Sequence, residues 1–206
     1  MTTEELERAL RQLRLGSMAR VLASRLVEAR SSKLDHITFL ANLVRDELDQ
    51  RSSRRAERRM KLANFRDPDR TLDGFDFDFN KKMNRKLVFE LATGAFVDRK
   101  EDVLFLGPPG TGKSHIAQAI GIALVMRGVN VRYFEAHTLL DDFAEASLSG
   151  ERKNLMKELS TAEFLIIDDI GMKKLPPTTA EDILELIMRR HERFSTLMAS
   201  NRPLDD

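Results

Sequence analysis

The sequence predicts an α/β fold: a parallel sheet with flanking helices around a phosphate-binding loop, preceded by a small all-helical N-terminal domain. Three observations carry this. Gly107-Pro108-Pro109-Gly110-Thr111-Gly112-Lys113-Ser114 completes the pattern G-x-x-x-x-G-K-[ST], with an apolar run before it and a helical repeat after it. From residue 101 onward, short apolar runs alternate with amphipathic stretches, as parallel strands joined by helices require. Residues 4–63 hold no proline and space their leucines at helical intervals.

The first third reads as helices. Thr3 is the expected N-cap of the first, with Glu4 and Glu5 in the turn where the helix dipole favours acids. Leu6, Leu10 and Leu13 form its apolar stripe, and Met18, Leu22, Leu26 and Val27 form another after Gly16. Asp35 is placed to cap a longer helix bearing Phe39, Leu40, Leu43, Val44 and Leu48. Further along, Arg51, Arg54, Arg55, Arg58 and Arg59 fall at i, i+3, i+4, i+7 and i+8, which gathers them on one helix face. Residues 51–66 hold seven basic residues and one acid. Such a stripe suits contacts with DNA phosphates, which are salt-sensitive and carry little sequence information. A solvated helix face is the plainer alternative. No base-reading motif such as a zinc finger accompanies the stripe.

Arg66-Asp67-Pro68-Asp69-Arg70 reads as a linker, so boundaries are expected at 1–66 (helical, DNA- or partner-binding), 67–100 (linker and docking segment) and 101–206 (nucleotide-binding core). Phe75-Asp76-Phe77-Asp78-Phe79 alternates strictly, which is strand periodicity. Its rings either dock on the core or place one ring over a bound base. Lys81 to Thr93 reads as a helix that Gly94 stops.

In the core, Val103 to Leu106 is the first strand, and His115 to Met126 is a helix with Ile116, Ile120, Ala123 and Leu124 on its apolar face. Val129 to Phe134 follows as a strand, then helices at Thr138 to Ala146 and Arg152 to Leu159. Phe164 to Ile167 is the third strand, Ala180 to Arg193 a helix and Thr196 to Ser200 the fourth strand. Ligands of such sheets lie outside the carboxyl ends of the strands, where the loop falls.

The loop's glycines let several N–H groups converge, Lys113 reaches the β- and γ-phosphates, and the Ser114 hydroxyl takes a Mg²⁺ position. The helix behind the loop adds its dipole. Asp168, the first residue beyond the third strand, is the expected Mg²⁺ ligand, and Asp169 the group that orients the attacking water. Two acids closing a buried strand in solvent is the alternative. Asn201, at the tip of the next strand, is either a holder of that water or a γ-phosphate oxygen, or ordinary Asn-x-Pro turn chemistry. His36, His115, His137 and His191 are scattered without metal-ligand spacing, and His115 reads as first-turn packing. Glu181, Asp182 and Glu185 read as a solvated helix face.

Composition narrows the class. The 206 residues carry a net charge of +1, which hides a basic first third (+6 over residues 1–66) and an acidic remainder (−5 over 67–206), so an anionic partner is expected for the first third. The chain has no cysteine and therefore no disulfide framework. It has no apolar run of transmembrane length and no signal-peptide pattern at its start, so a cytoplasmic location without a membrane partner is expected.

The loop (107–114), the apolar strand ending in Asp168-Asp169 and the Ser200-Asn201 pair resemble the AAA+ ATPases. Within that class the chain is similar to the DnaC/IstB group, and most of all to the IstB-like helper ATPases of insertion-sequence transposition. Leu13-Arg14-Leu15-Gly16-Ser17-Met18-Ala19 resembles that group's N-terminal signature. Thr71-Leu72 with Phe75-Asp76-Phe77 resembles its linker, and Asp168-Asp169-Ile170-Gly171 and Thr196 to Pro203 its later motifs. The resemblance covers nearly the whole chain. It implies an ATPase using ATP and Mg²⁺ that forms homo-oligomers on duplex DNA and recruits and stimulates a transposase. By position, Lys113 and Ser114 bind phosphate and Mg²⁺, Asp168 binds Mg²⁺, Asp169 takes the catalytic-acid place and Asn201 is the first sensor. Two departures are expected to matter. The general pattern has Glu where this chain has Asp169, which is one methylene shorter and implies slow turnover. The arginine finger, lid and second sensor normally follow Asn201, and the expectation is a chain truncated before them. A DnaC-like loader of a replicative helicase is the alternative from the same group, and a small-molecule kinase with the same loop the alternative from another class.

Overall fold

Strand β3 (Phe164–Ile170) organises the larger part of the fold, because its residues Phe164 to Asp168 are all buried and their side chains alternate between two cores. The computed structural model describes residues 2–81, 83–170 and 177–202. The chain divides into two units, Met1–Glu57 and Arg58–Asp206. The boundary expected from composition lay at 66/67, whereas this division falls within a helix.

The first unit contains α1 (Thr3–Gln12), α2 (Gly16–Ser31) and the greater part of α3 (His36–Ala63). Thr2, not Thr3, caps α1. Thr2 Oγ1 accepts from the Glu5 N–H at 3.2 Å, and the Glu5 carboxylate accepts from the Thr2 N–H at 2.8 Å. This reciprocal pair needs the T-x-x-E spacing that Thr2 has and Thr3 lacks. Met18, Leu22 and Leu43 form the unit's core, with Leu6, Leu10, Leu26 and Phe39 packed on it. Leu13, Val27, Leu40, Val44 and Leu48 remain exposed, so the expected stripes are wider than the faces this core uses. Asp35 caps α3 as expected, accepting from the N–H groups of Ile37 and Thr38. Buried Glu47 accepts from the N–H groups of Ser17 and Met18 at 2.8 and 3.0 Å. A carboxylate from α3 thus satisfies orphan donors at the α2 N-terminus. Arg25 and Asp46 join the same two helices through paired bonds of 2.8 and 2.7 Å.

The second unit holds a four-stranded parallel sheet of β1 (Val103–Leu106), β2 (Val131–Glu135), β3 and β4 (Ser195–Ser200), in the order β1-β4-β3-β2. Its helices are α4 (Arg85–Ala92), α5 (Ala95–Asp98), α6 (Lys113–Met126), α7 (Ala136–Ser149), α8 (Arg152–Thr161) and α9 (Pro177–Arg190). Phe164 and Ile166 share one core with Ile116, Ile120 and Leu124 of α6. Leu165 and Ile167 share the other with Leu139, Phe143, Met156, Leu159 and Leu186 of α7, α8 and α9. Both faces of β3 are covered, which is why its sequence is continuously apolar. Arg190 is buried at the end of α9. It donates to the carbonyls of Leu159, Ala162 and Ser195 and to Thr196 Oγ1, which anchors the start of β4. Burial lowers its pKa to about 10.

The expected strand at 75–79 does not form; the segment is a series of turns. Thr71 Oγ1 accepts from the Gly74 N–H and Asp76 Oδ1 from the Asp78 N–H, and such local side-chain bonds compete with an extended backbone. Phe75 and Phe77 still dock on the core, their rings 4.9 Å apart edge to face, while Phe79 is exposed. The helix expected over 81–93 is shortened to α4 because Asn84 caps it, accepting from the Leu87 N–H at 3.1 Å. Glu181, Asp182 and Glu185 are not simply a solvated face either: Asp182 and Glu185 both accept from Arg152 of α8.

Candidate nucleotide site

The strand order builds the site. The 107–114 loop leaves the carboxyl end of β1, Asp168 and Asp169 lie near that of β3, and β4 between them delivers Asn201. Gly110 and Gly112 have φ of 78° and 93°, where a side chain is strained. At Gly112 space matters as well: a Cβ would lie 2.7 Å from the Phe75 ring. Phe75 therefore packs directly on the loop, and edge to face on His115 with centroids 5.0 Å apart. His115 is also 3.1 Å from the Thr71 carbonyl, in keeping with a packing role. The loop is braced internally by Thr111 Oγ1, which donates to the Pro108 carbonyl at 2.9 Å, and from α4's side by the Asn80 amide, which donates to the Thr111 carbonyl at 3.2 Å. No side chain caps α6 at Gly112, so its first N–H groups face the loop with the positive end of the helix dipole.

Lys113 donates to the carbonyls of Gly107 and Pro108 at 2.7 and 2.9 Å. Burial lowers its pKa, and the charges of Asp169 and Asp168 partly oppose this. Ser114 Oγ donates to Asp168 Oδ1 at 3.1 Å, so two residues 54 positions apart in the chain meet. Asp168 is only 1% exposed. It lies within β3 rather than beyond it, because the strand continues to Ile170. Burial raises the pKa of its carboxyl, while hydrogen bonds from Tyr133 and Ser114 act in the opposite direction. The Tyr133 hydroxyl donates to Asp168 Oδ2 at 2.9 Å. Burial and the neighbouring Asp168 charge keep that hydroxyl protonated.

Asp169 has φ 56°, and the β3–β4 register shifts between Ile167 and Ile170. A bulge of this kind re-aims a side chain, and here Asp169 Oδ1 comes to 3.5 Å from Asn201 Nδ2. A cleft of about 540 Å³ opens beside the loop, lined by Asn80, Met83, Leu87, Leu91, Leu104 and Lys113 among others. It combines apolar walls with a few polar groups, as ligand clefts do. A larger groove along α9, lined by Glu181, Leu184 and Met188, includes none of the loop residues. Among the described residues no cluster of three or more His, Cys, Asp or Glu is arranged for a metal. The hard oxygens of Ser114 and Asp168 suit a Mg²⁺ that takes its other ligands from phosphate and water.

Thus Gly107 to Ser114, Asp168, Asp169 and Asn201 converge on one sheet end. Gly171 and Pro203 lie outside the described residues. Of the arginine stripe, Arg54, Arg55 and Arg58 are exposed. Arg51 is engaged with Glu47 at 2.8 Å and with the Arg14 carbonyl at 2.7 Å, and Arg59 is half-buried. Tyr133, Asn80 and Gln118 are participants that the sequence alone did not single out. Buried Gln118 accepts from the Asp67 N–H at 3.0 Å and donates to the Ser114 carbonyl at 3.3 Å, tying the linker to the loop. The one available signal was for Tyr133, which shares with Val131 the inward face of an alternating strand.

The family described as IstB-like ATP binding protein matches residues 8–206. This chain belongs to that family. It is 32% identical over 200 residues to the IS5376 insertion-sequence protein of Geobacillus stearothermophilus named for ATP binding, covering 97% of this chain and 79% of that protein. To the corresponding IS21 protein of Pseudomonas aeruginosa it is 34% identical over 202 residues, covering 98% of this chain and 76% of the relative. Among solved structures, AMPPCP-bound DnaA from Aquifex aeolicus matches with a TM-score of 0.60 at 22% identity, over 68% of this IstB-family chain but only 44% of the DnaA chain. The DnaC helicase loader matches with a TM-score of 0.55 at 19% identity, over 66% and 79% of the two chains. These two likenesses bear on fold alone, and they agree with the AAA+ parallel sheet expected from the sequence. No helix among the described residues is long and apolar enough to cross a membrane.

Proposed function

We propose that this IstB-family chain is an ATP-dependent, DNA-binding AAA+ regulator. It assembles as a homo-oligomer on duplex DNA, and recruits and stimulates a transposase for insertion-sequence transposition. One observation supports the reading above others. Ser114 and Asp168 meet at 3.1 Å beside a phosphate loop, in a chain whose relatives are insertion-sequence proteins named for ATP binding.

In this reading the loop N–H groups and the α6 N-terminus cradle the phosphates. Lys113 contributes its ammonium to the β- and γ-phosphates. Ser114 and Asp168 would hold Mg²⁺, which when bound would neutralise charge on the β- and γ-phosphates. The apolar cleft beside the loop receives the base. Asp169 orients a water toward the γ-phosphorus and accepts its proton as the bond to the bridging oxygen breaks, releasing ADP and phosphate. Asn201 holds Asp169 and the water in line. Aspartate suits position 169 because a short polar side chain tolerates left-handed backbone better than most residues do.

The division of labour follows the charge. The helical first third, residues 1–66, contacts DNA through Arg54, Arg55 and Arg58, with Arg51 and Arg59 flanking them; 67–100 docks on the loop; 101–206 is the ATPase core. The discriminating experiment is a pull-down from matched lysates, with and without ATP, using the transposase of the same insertion sequence and a replicative helicase as rival baits. The expected outcome is ATP-dependent capture with the transposase. Capture with the helicase alone contradicts the transposition role.

A further inference from the structure

Asp168 is held at both of its oxygens, and the two ends are held differently. Oδ1 accepts from Ser114 Oγ at 3.1 Å and from the Asp169 N–H at 2.9 Å. Oδ2 accepts from the Tyr133 hydroxyl at 2.9 Å. Tyr133 is the sole tyrosine of the chain and is 3% exposed. Its ring is held against Phe65, centroids 5.9 Å apart, so the hydroxyl has little freedom to move off the carboxylate. A phenylalanine would fill the same core space without burying a hydroxyl. What the oxygen adds is control of the carboxylate.

We infer that Tyr133 is a positioning residue that makes the site selective for magnesium over calcium, by occupying Asp168 Oδ2 so that the carboxylate presents one oxygen beside Ser114. The inference rests on the nucleotide reading proposed above. Calcium takes six to eight oxygens and readily accepts both oxygens of a carboxylate, whereas magnesium keeps octahedral geometry and takes few protein oxygens. The Tyr133 hydroxyl competes with a cation for Oδ2, which disfavours the two-oxygen mode. Groups that orient a metal ligand are worth about 10–100-fold in metal affinity.

The test is the affinity of a fluorescent ATP analogue for the chain and its Tyr133→Phe variant, each in Mg²⁺, in Ca²⁺ and in EDTA. Thermal melts without nucleotide accompany it, and Lys113→Ala serves as the control. The expected result is a melt lowered by a few degrees, as the loss of one bond to a buried carboxylate requires, and an unchanged affinity in EDTA. The gain from Mg²⁺ should fall at least about tenfold, with a smaller change in the gain from Ca²⁺, so that the Mg²⁺-to-Ca²⁺ ratio drops. An unchanged ratio overturns the inference. So does an equal loss in all three solutions, which makes Tyr133 a packing residue only. If the unaltered chain binds no analogue in any solution, the nucleotide reading itself fails. If Lys113→Ala loses the analogue throughout while Tyr133→Phe keeps its cation preference, the nucleotide reading stands and the inference alone falls.

Discussion

A carboxylate as buried as Asp168 is costly unless donors meet it, and three do: Tyr133, Ser114 and the Asp169 N–H. Two of these come from other segments, so the same bonds that make the burial tolerable also fasten β3 to the loop and to β2. Lys113 is the opposite charge in this arrangement. Replacing it with alanine removes charge-assisted bonds worth about 1.5–3 kcal/mol each, so ATP affinity should fall by about 100-fold in an equilibrium binding assay. Asp169→Asn should instead retain binding and lose about 100-fold or more in hydrolysis. Nucleotide affinity retained in Lys113→Ala contradicts the loop assignment. The loop residues were legible because their spacing is itself the mechanism. Asp168 was legible as a chemical role, but its seat inside the strand was not, because the bulge at Asp169 depends on pairing with β4. The contacts of Tyr133 with Asp168 and of Asn80 with Thr111 were illegible because they span 35 and 31 positions of sequence.

At the level of elements, periodicity located the core strands and helices to within a few residues, since both faces of β3 impose a continuous apolar run on the sequence. It failed at 75–79, where the Phe-Asp alternation follows docking and side-chain turns rather than a sheet edge. It also missed Thr2 as the cap of α1, because the choice between two adjacent threonines turns on Glu5. The arginine stripe of α3 belongs to one helix face. Reversing the charge at Arg54, Arg55 and Arg58 should weaken duplex DNA binding and reduce the steepness of its salt dependence, measured by a salt titration of affinity, with each lost phosphate contact lowering the slope by about one. Arg51 is a poorer target, since it holds Glu47, which caps α2, and its replacement would disturb the helical unit. Unchanged affinity and slope in the triple variant would remove the stripe from DNA binding.

At the scale of the whole molecule, the decisive question is whether nucleotide binds where the strands of the second unit end. The order β1-β4-β3-β2 makes this possible by setting the tip of β4 between the loop and the paired acids. Class and family were legible at this scale because the loop, the acidic strand end and the signature around Gly16 are each local in sequence. The placement of the 71–80 turns on Gly112 and His115 was not, being a matter of shape rather than pattern. The proposed function requires a triphosphate and its magnesium between residues 107–114 and Asp168. A crystal structure of the chain with magnesium and AMPPCP tests it most directly. Phosphates should lie on the N–H groups of Gly110 to Ser114, with a cation between Ser114 Oγ and Asp168. Analogue bound elsewhere, or a cation with no contact to Asp168, would contradict it.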